Sequence, residues 1–283
     1  MKGYKALSKD MKAIFGDGMK YELNVWYKIE GEIIPCISGY HYFDNIRDIF
    51  MLFYEHDYDI YEIQSKGKII KDEDDNYQGK FVCSEIKLVR KLTQEEIKKY
   101  IEDNLDILIN DESRGVRREV ARQGYGLDIL VNDESRGVRC EVVRQGYGLD
   151  ILVNDEDYTV RREVARQGYG LDILVNDESW RVRCEVVRQG YSLDILVNDK
   201  DWQVRREVAR KGYGLDILVN DKDWHVRGEV VSQGYDLDRL INDESWHVRC
   251  EVARQGYGLD ILVNDEEWVV RCEVARQLEL RNK

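Results

Sequence analysis

Proline occurs once in 283 residues, at Pro35, and no Gly/Ser-rich stretch stands in for a linker, so the regions of the chain are expected to abut rather than swing on a tether. No apolar run approaches the roughly 18 to 20 residues that span a bilayer, and the opening MKGYKALSKDMK lacks the apolar stretch of a secretory signal. A cytoplasmic protein with no membrane partner is the expectation. No Walker loop, GxSxG elbow, HExxH or dinucleotide fingerprint occurs, and no cofactor is implied. Positive charge is also short: 43 Lys and Arg stand against 56 Asp and Glu, a net charge of −13. Residues 1–93 hold 14 basic and 16 acidic side chains, so nearly all of the excess lies beyond them. Nonspecific phosphate binding depends on clustered Lys and Arg displacing counterions, which disfavours nucleic acid as a partner.

Cysteine is present but unpaired in pattern. Cys140, Cys184, Cys250 and Cys272 share a position that Arg118, Arg162, Arg206 and Gly228 fill elsewhere. Helices stacked about 8 to 10 Å apart exceed the roughly 7 Å Cα limit of a disulfide, so Cys250 and Cys272 are expected as free thiols of a reducing compartment. The remaining Cys36 and Cys83, with His41 and His56, could in principle ligate zinc. They have no CxxC or HxxxH spacing, so no metal site is expected.

What the chain has in abundance is one unit, VRxEVxRQGYGLDILVNDExW, repeated every 22 residues without a slip of phase. Its anchors are Val116, Val138, Val160, Val182, Val204, Val226, Val248 and Val270, each followed by arginine. A degenerate leading copy, DNLDILIND at 103–111, has the register of a cap. Within one unit, Asp199 or Asp201 can cap a helix carrying Val204, Val208 and Ala209 on one stripe. Gly212 follows where a left-handed residue closes a helix. Leu215, Leu218 and Val219, with Tyr213 and Ile217, then suggest a second, short helix, in part 3₁₀. A strand is the rival for LDILV, though the helix-period leucines favour the helix. Neither helix buries its stripe alone, so the units must stack.

VRxEVAxQGYGLDILVNDxxW resembles the variant leucine-rich repeat and the short HEAT-like repeats of bacterial and phage proteins. The resemblance implies a mostly α fold, a right-handed α-solenoid of about eight two-helix repeats over 93–283, preceded by a small α+β domain over 1–92. This chain has Gly-Tyr-Gly where the variant leucine-rich pattern has proline in the turn. The first 92 residues, with GYKALSKDM, PCISGYHYF and KGKII, resemble an uncharacterised amino-terminal domain of phage and bacterial proteins. There, Asp44 can cap a helix carrying Ile46, Ile49, Phe50 and Phe53, and YDIYEIQ and EIKLVRKL read as strands. The order of GYHYF, helix and a later-strand Glu85 is loosely similar to that of ADP-ribosyltransferases, which would imply an enzyme centred on Glu85. Tyr4 and Lys5 stand where that layout has its first-strand His or Arg.

Trp180, Trp202, Trp224, Trp246 and Trp268 precede the VR pair, where Arg114, Arg136 and Tyr158 stand earlier. These indoles either cover the edges of their own repeats or present a row of aromatics to a ligand. The arginines after each valine, among them Arg183, Arg205, Arg227 and Arg249, either contact a partner or pair with the aspartates after each leucine, Asp128 to Asp260. The leading functional expectation is a non-enzymatic scaffold whose groove holds a protein partner through these tryptophans and arginines. An acidic mimic of nucleic acid and an enzyme in the first domain are the alternatives.

Overall fold

In the computed structural model, which describes residues 1–15, 18–35, 37–54, 56–72 and 79–281, the alternating apolar positions ahead of the repeats form antiparallel strands. These are β1 (Lys2–Ser8), β2 (Trp26–Lys28), β3 (Tyr40–Phe43), β4 (Tyr58–Lys71) and β5 (Lys80–Lys91), with helix α1 (Ile46–Phe53) between β3 and β4. The order is β2-β5-β3-β1-β4, and β4 also pairs with β5, so four strands close on themselves into a small barrel with β2 attached outside. Closure leaves those four strands no free edge. Tyr4 lies opposite Phe43, and Cys83 opposite Tyr40. The interior holds Leu7, Tyr42, Ile63, Cys83, Ile86 and Leu88, all buried. The strands expected around YDIYEIQ and EIKLVRKL are β4 and β5. Helix α1 carries the expected apolar face, but its cap is Asn45, whose side chain accepts from the Asp48 amide; Asp44 is not the cap.

Contacts divide the chain into two compact units, Met1–Gly148 and Leu149–Lys283. The first continues from the barrel through α2 (Gln94–Asp103), α3 (Leu105–Leu108), α4 (Arg114–Arg122), α5 (Leu127–Leu130) and α6 (Arg136–Arg144). Thr93 and Glu96 form a capping box that starts α2, and Arg90 braces Glu96 and Glu62 together. The first regular repeat helix, α4, packs against α1. Arg47 of α1 makes a two-pronged contact to Asp111, Nε at 2.6 Å and Nη2 at 2.9 Å, matching that of Arg117 to Asp133 at 2.6 and 3.1 Å. The barrel domain thus lends a helix that stands in for a preceding repeat, so the cap expected of 103–111 alone is completed by α1.

The second unit alternates short and long helices: α7 (Leu149–Leu152), α8 (Tyr158–Arg166), α9 (Leu171–Leu174), α10 (Trp180–Arg188), α11 (Leu193–Leu196), α12 (Trp202–Arg210), α13 (Leu215–Leu218), α14 (Trp224–Ser232), α15 (Leu237–Leu240), α16 (Trp246–Arg254), α17 (Leu259–Leu262) and α18 (Trp268–Arg281). LDIL is helical throughout, so the strand alternative is excluded. Each long helix packs on the next, α8 on α10 through α16 on α18, with Val204, Val208 and Ala209 wholly buried as the stripe requires. Asp201 caps α12, while Asp199 accepts the Asp201 amide at 2.8 Å. At the other end the Gly212 amide reaches the Ala209 carbonyl and the Tyr213 amide the Val208 carbonyl, the paired bonds of a Schellman closure with Gly212 at φ +72°.

Candidate binding surface of the repeat array

The arginine after each anchor valine points inward. Arg183, Arg205, Arg227 and Arg249 are buried, each forked onto the aspartate that ends the following LVND or LIND: Asp199, Asp221, Asp243 and Asp265. For Arg227 the two bonds to Asp243 are 2.6 and 2.8 Å, and Nη1 donates to the Asp221 carbonyl at 2.7 Å. The Arg249 guanidinium holds the Asp265 carboxyl below its ordinary range. These bonds saturate the fork, so the arginines brace one repeat to the next and have no donor plane left for a partner. The partner aspartate also differs from the one expected: Asp172, Asp194, Asp216 and Asp260 face solvent and, among the described residues, make no ion pair. Sequence pattern alone offers at least two aspartates per repeat and cannot say which lies beside the arginine.

The tryptophans open the long helices and form a column. His225 lies between Trp202 and Trp224, with ring centroids at 4.2 and 3.6 Å, and His247 between Trp224 and Trp246, at 3.9 and 3.6 Å. Arg181 similarly covers Trp180 at 4.5 Å and Tyr158 at 5.5 Å. The rings of Tyr158, Trp202 and Trp224 are thus each covered by the residue that follows the tryptophan of the next repeat. The stacked rings cover repeat edges, and Trp180, Trp202, Trp224 and Trp246 are half-buried. Trp268 is the most exposed, at 64 %. The interleaving residues Arg181, His225 and His247 escaped sequence reasoning, although their planar character right after tryptophan was the available signal.

The outward side of the short helices carries large apolar groups. Ile173, Ile195, Ile217 and Ile261 are 49–57 % exposed, and Tyr169, Tyr191, Tyr213, Tyr235 and Tyr257 are exposed beside them. Tyr213 and Ile217 thus do not join the buried stripe of Leu218 and Val219. The residue after each LVND or LIND is also outward: Glu178, Glu244 and Glu266 are 83–85 % exposed, and Lys200 and Lys222 occupy that place in the intervening repeats.

The shared cysteine position is graded. Cys184 and Cys250 are buried and Cys272 exposed, all as free thiols, and burial pushes Cys184 up to about 12. In the barrel, burial pushes Cys83 up to about 11 and His41 down to about 4. His56 packs edge-on against Phe15, and Cys36 lies outside the described residues. Among the described residues no three metal-ligating side chains converge. Glu85 is engaged by Lys66 at 3.1 Å, whose ammonium also sits 4.1 Å from the Trp26 ring centroid. The GYHYF segment is β3, with Tyr42 and Phe43 packed into the interior.

These features define the class: a small antiparallel barrel domain followed by tandem two-helix repeats. Residues 1–100 match the family described as a domain of unknown function, DUF7666. No curated protein matches the chain. Among solved structures, a designed armadillo repeat protein in complex with a (KR)4 peptide is 17 % identical over 65 % of this chain and 85 % of its own, with a TM-score of 0.18. Among the described residues no helix is long and apolar enough to cross a membrane.

Proposed function

We propose that the array over 93–283 is a non-enzymatic scaffold that holds a protein partner along the outward side of its short helices, with residues 1–92 as an anchoring domain and the cytoplasm as its compartment. The carrying observation is the isoleucine row: Ile173, Ile195, Ile217 and Ile261 are about half exposed on the outward side of their short helices, with Arg239 at that place in α15. Single exposed apolar residues are ordinary, but a row repeated in register is the kind of surface that marks an interface. Trp180, Trp202, Trp224, Trp246 and Trp268 enter the proposal as a second contact row. Arg183, Arg205, Arg227 and Arg249 enter it only as the braces that keep the rows in register. The variant leucine-rich or HEAT-like kinship and its right-handed superhelix belong to the same reading.

The acidic-mimic alternative draws on the exposed Glu178, Glu244 and Glu266, but Lys200 and Lys222 break that row. A pull-down from lysate with the wild type and with Ile173→Ser/Ile195→Ser/Ile217→Ser separates the possibilities. The variant should keep the wild-type melting temperature, because exposed positions contribute little to stability, and lose the partner. Capture unchanged by the triple substitution would remove the short-helix face from the proposal.

A further inference from the structure

In the first unit, α3, α5 and the residues that follow them border a groove. It is an open depression of about 530 Å³ with Ile109 and Ile129 as walls, Glu112 and Glu134 at the lips, and Arg117 and Asp133 beneath. The only cation in this lining is Arg117, and its fork is already held by Asp133 at 2.6 and 3.1 Å. Apolar walls under a carboxylate lip match the build of lysine and arginine, which lay an aliphatic stem on apolar surface and keep a charged head at the rim.

In the second unit the same sequence positions recur, with Arg239 in place of the wall isoleucine in α15, and the lip residue drifts. Glu156 and Glu178 flank the groove beside Ile173, and Glu244 and Glu266 the one beside Ile261. Lys200 and Lys222 flank the groove beside Ile217. All six lip residues are exposed. The anchor valines and leucines do not vary in this way, so the lip positions differ in charge along an otherwise uniform array.

We propose that the inter-repeat grooves are receptors for side chains of a protein partner's extended segment. Those with two glutamate lips take lysine or arginine, and Lys200 and Lys222 exclude basic groups from the groove beside Ile217. This rests on the scaffold reading and adds the partner's chemistry: basic groups spaced by the repeat, with an acidic or neutral group opposite the two lysines. Stacked helices recur about every 8 to 10 Å, so neighbouring grooves read positions about three residues apart in an extended chain.

The test is fluorescence anisotropy on the full chain with two fluorescein-labelled peptides, one with lysine at every third position and leucine between, the other with glutamate in place of lysine. The wild type should prefer the lysine peptide. Lys200→Glu/Lys222→Glu should tighten it at least threefold, and Glu244→Lys/Glu266→Lys should weaken it at least threefold. Glu95→Lys/Glu279→Lys changes net charge as much as the latter, at exposed positions away from the lips, and should leave affinity within twofold. Equal effects from the lip swap and this control would overturn the proposal by reducing it to bulk attraction, as would lip swaps without effect. Ile173→Ser/Ile195→Ser/Ile217→Ser distinguishes the two levels. If it abolishes binding of the lysine peptide while the lip swaps do nothing, the scaffold reading stands and the groove assignment falls. If it leaves binding intact, the scaffold reading itself fails.

Discussion

The second glycine of Gly-Tyr-Gly has the tighter constraint. Gly214 opens α13 at φ +60°, and a Cβ there would lie 2.6 Å from a methyl of Val197, a buried β-branched side chain with little freedom to move. Two repeats nevertheless carry a side chain at this place: Ser192 and Asp236, both at φ +49°. The chain turns by roughly ten degrees to admit them, while a residue other than glycine in the left-handed region costs about 1–2 kcal/mol. Gly214→Ala is therefore expected to destabilise by about 1–2 kcal/mol, read as a lower urea midpoint at unchanged slope. The reverse change, Ser192→Gly, should raise the midpoint slightly. An unmoved midpoint for Gly214→Ala would mean that its repeat relaxes as freely as the one containing Ser192. Glycine in the turn was legible from sequence, but the separate reasons for the two glycines were not, because one closes a helix and the other lets the next one start.

At the scale of elements, the long helix was almost fully legible. Val204, Val208 and Ala209 announce its buried stripe, and the Gly212 closure follows from spacing. The short helix was legible as a helix but not in its facing: four residues make barely one turn, so periodicity cannot separate Leu218, which is buried, from Ile217, which is not. The arginine ladder was legible as a ladder and opaque as to its partners, for a similar reason. Its energetic weight differs sharply from that of the outer pairs. Arg227→Ala would leave the Asp243 carboxylate, itself nearly buried, without its cation, and breaking such a pair costs about 3–5 kcal/mol. Arg210, half exposed and 3.4 Å from Glu207, is an i,i+3 pair of the kind worth about 0.3–0.5 kcal/mol. A double-mutant cycle of Arg227→Ala with Asp243→Ala should show a coupling above about 1 kcal/mol, while Arg210→Ala should barely move the urea midpoint. Equal losses at the two sites would show that the inner ladder is no stronger than the outer one.

For the whole molecule the governing quantity is the excess of acid, −13 over the chain, with 28 Asp and Glu against 20 Lys and Arg in residues 149–283. Two electrostatic effects compete when salt is added. Contact pairs such as Arg188–Glu185 at 3.0 Å attract, and like charges on successive repeats, about 8 to 10 Å apart, repel. The screening length is about 30 Å at 0.01 M and about 10 Å at 0.1 M. Over that change the repulsion between a carboxylate and those two or three repeats away is largely removed, whereas an ion pair at contact distance keeps most of its attraction. The buried arginine forks are screened least of all. Raising sodium chloride from 10 to 100 mM should therefore stabilise the protein, with a melting temperature higher by about 2–4 °C, the shift that about 1 kcal/mol produces in a chain of this size. A lower melting temperature would mean that the half-exposed outer pairs outweigh the long-range repulsion. In that event the exposed lip glutamates would hold too little unbalanced charge to select a basic side chain, and the isoleucine walls would have to carry the recognition.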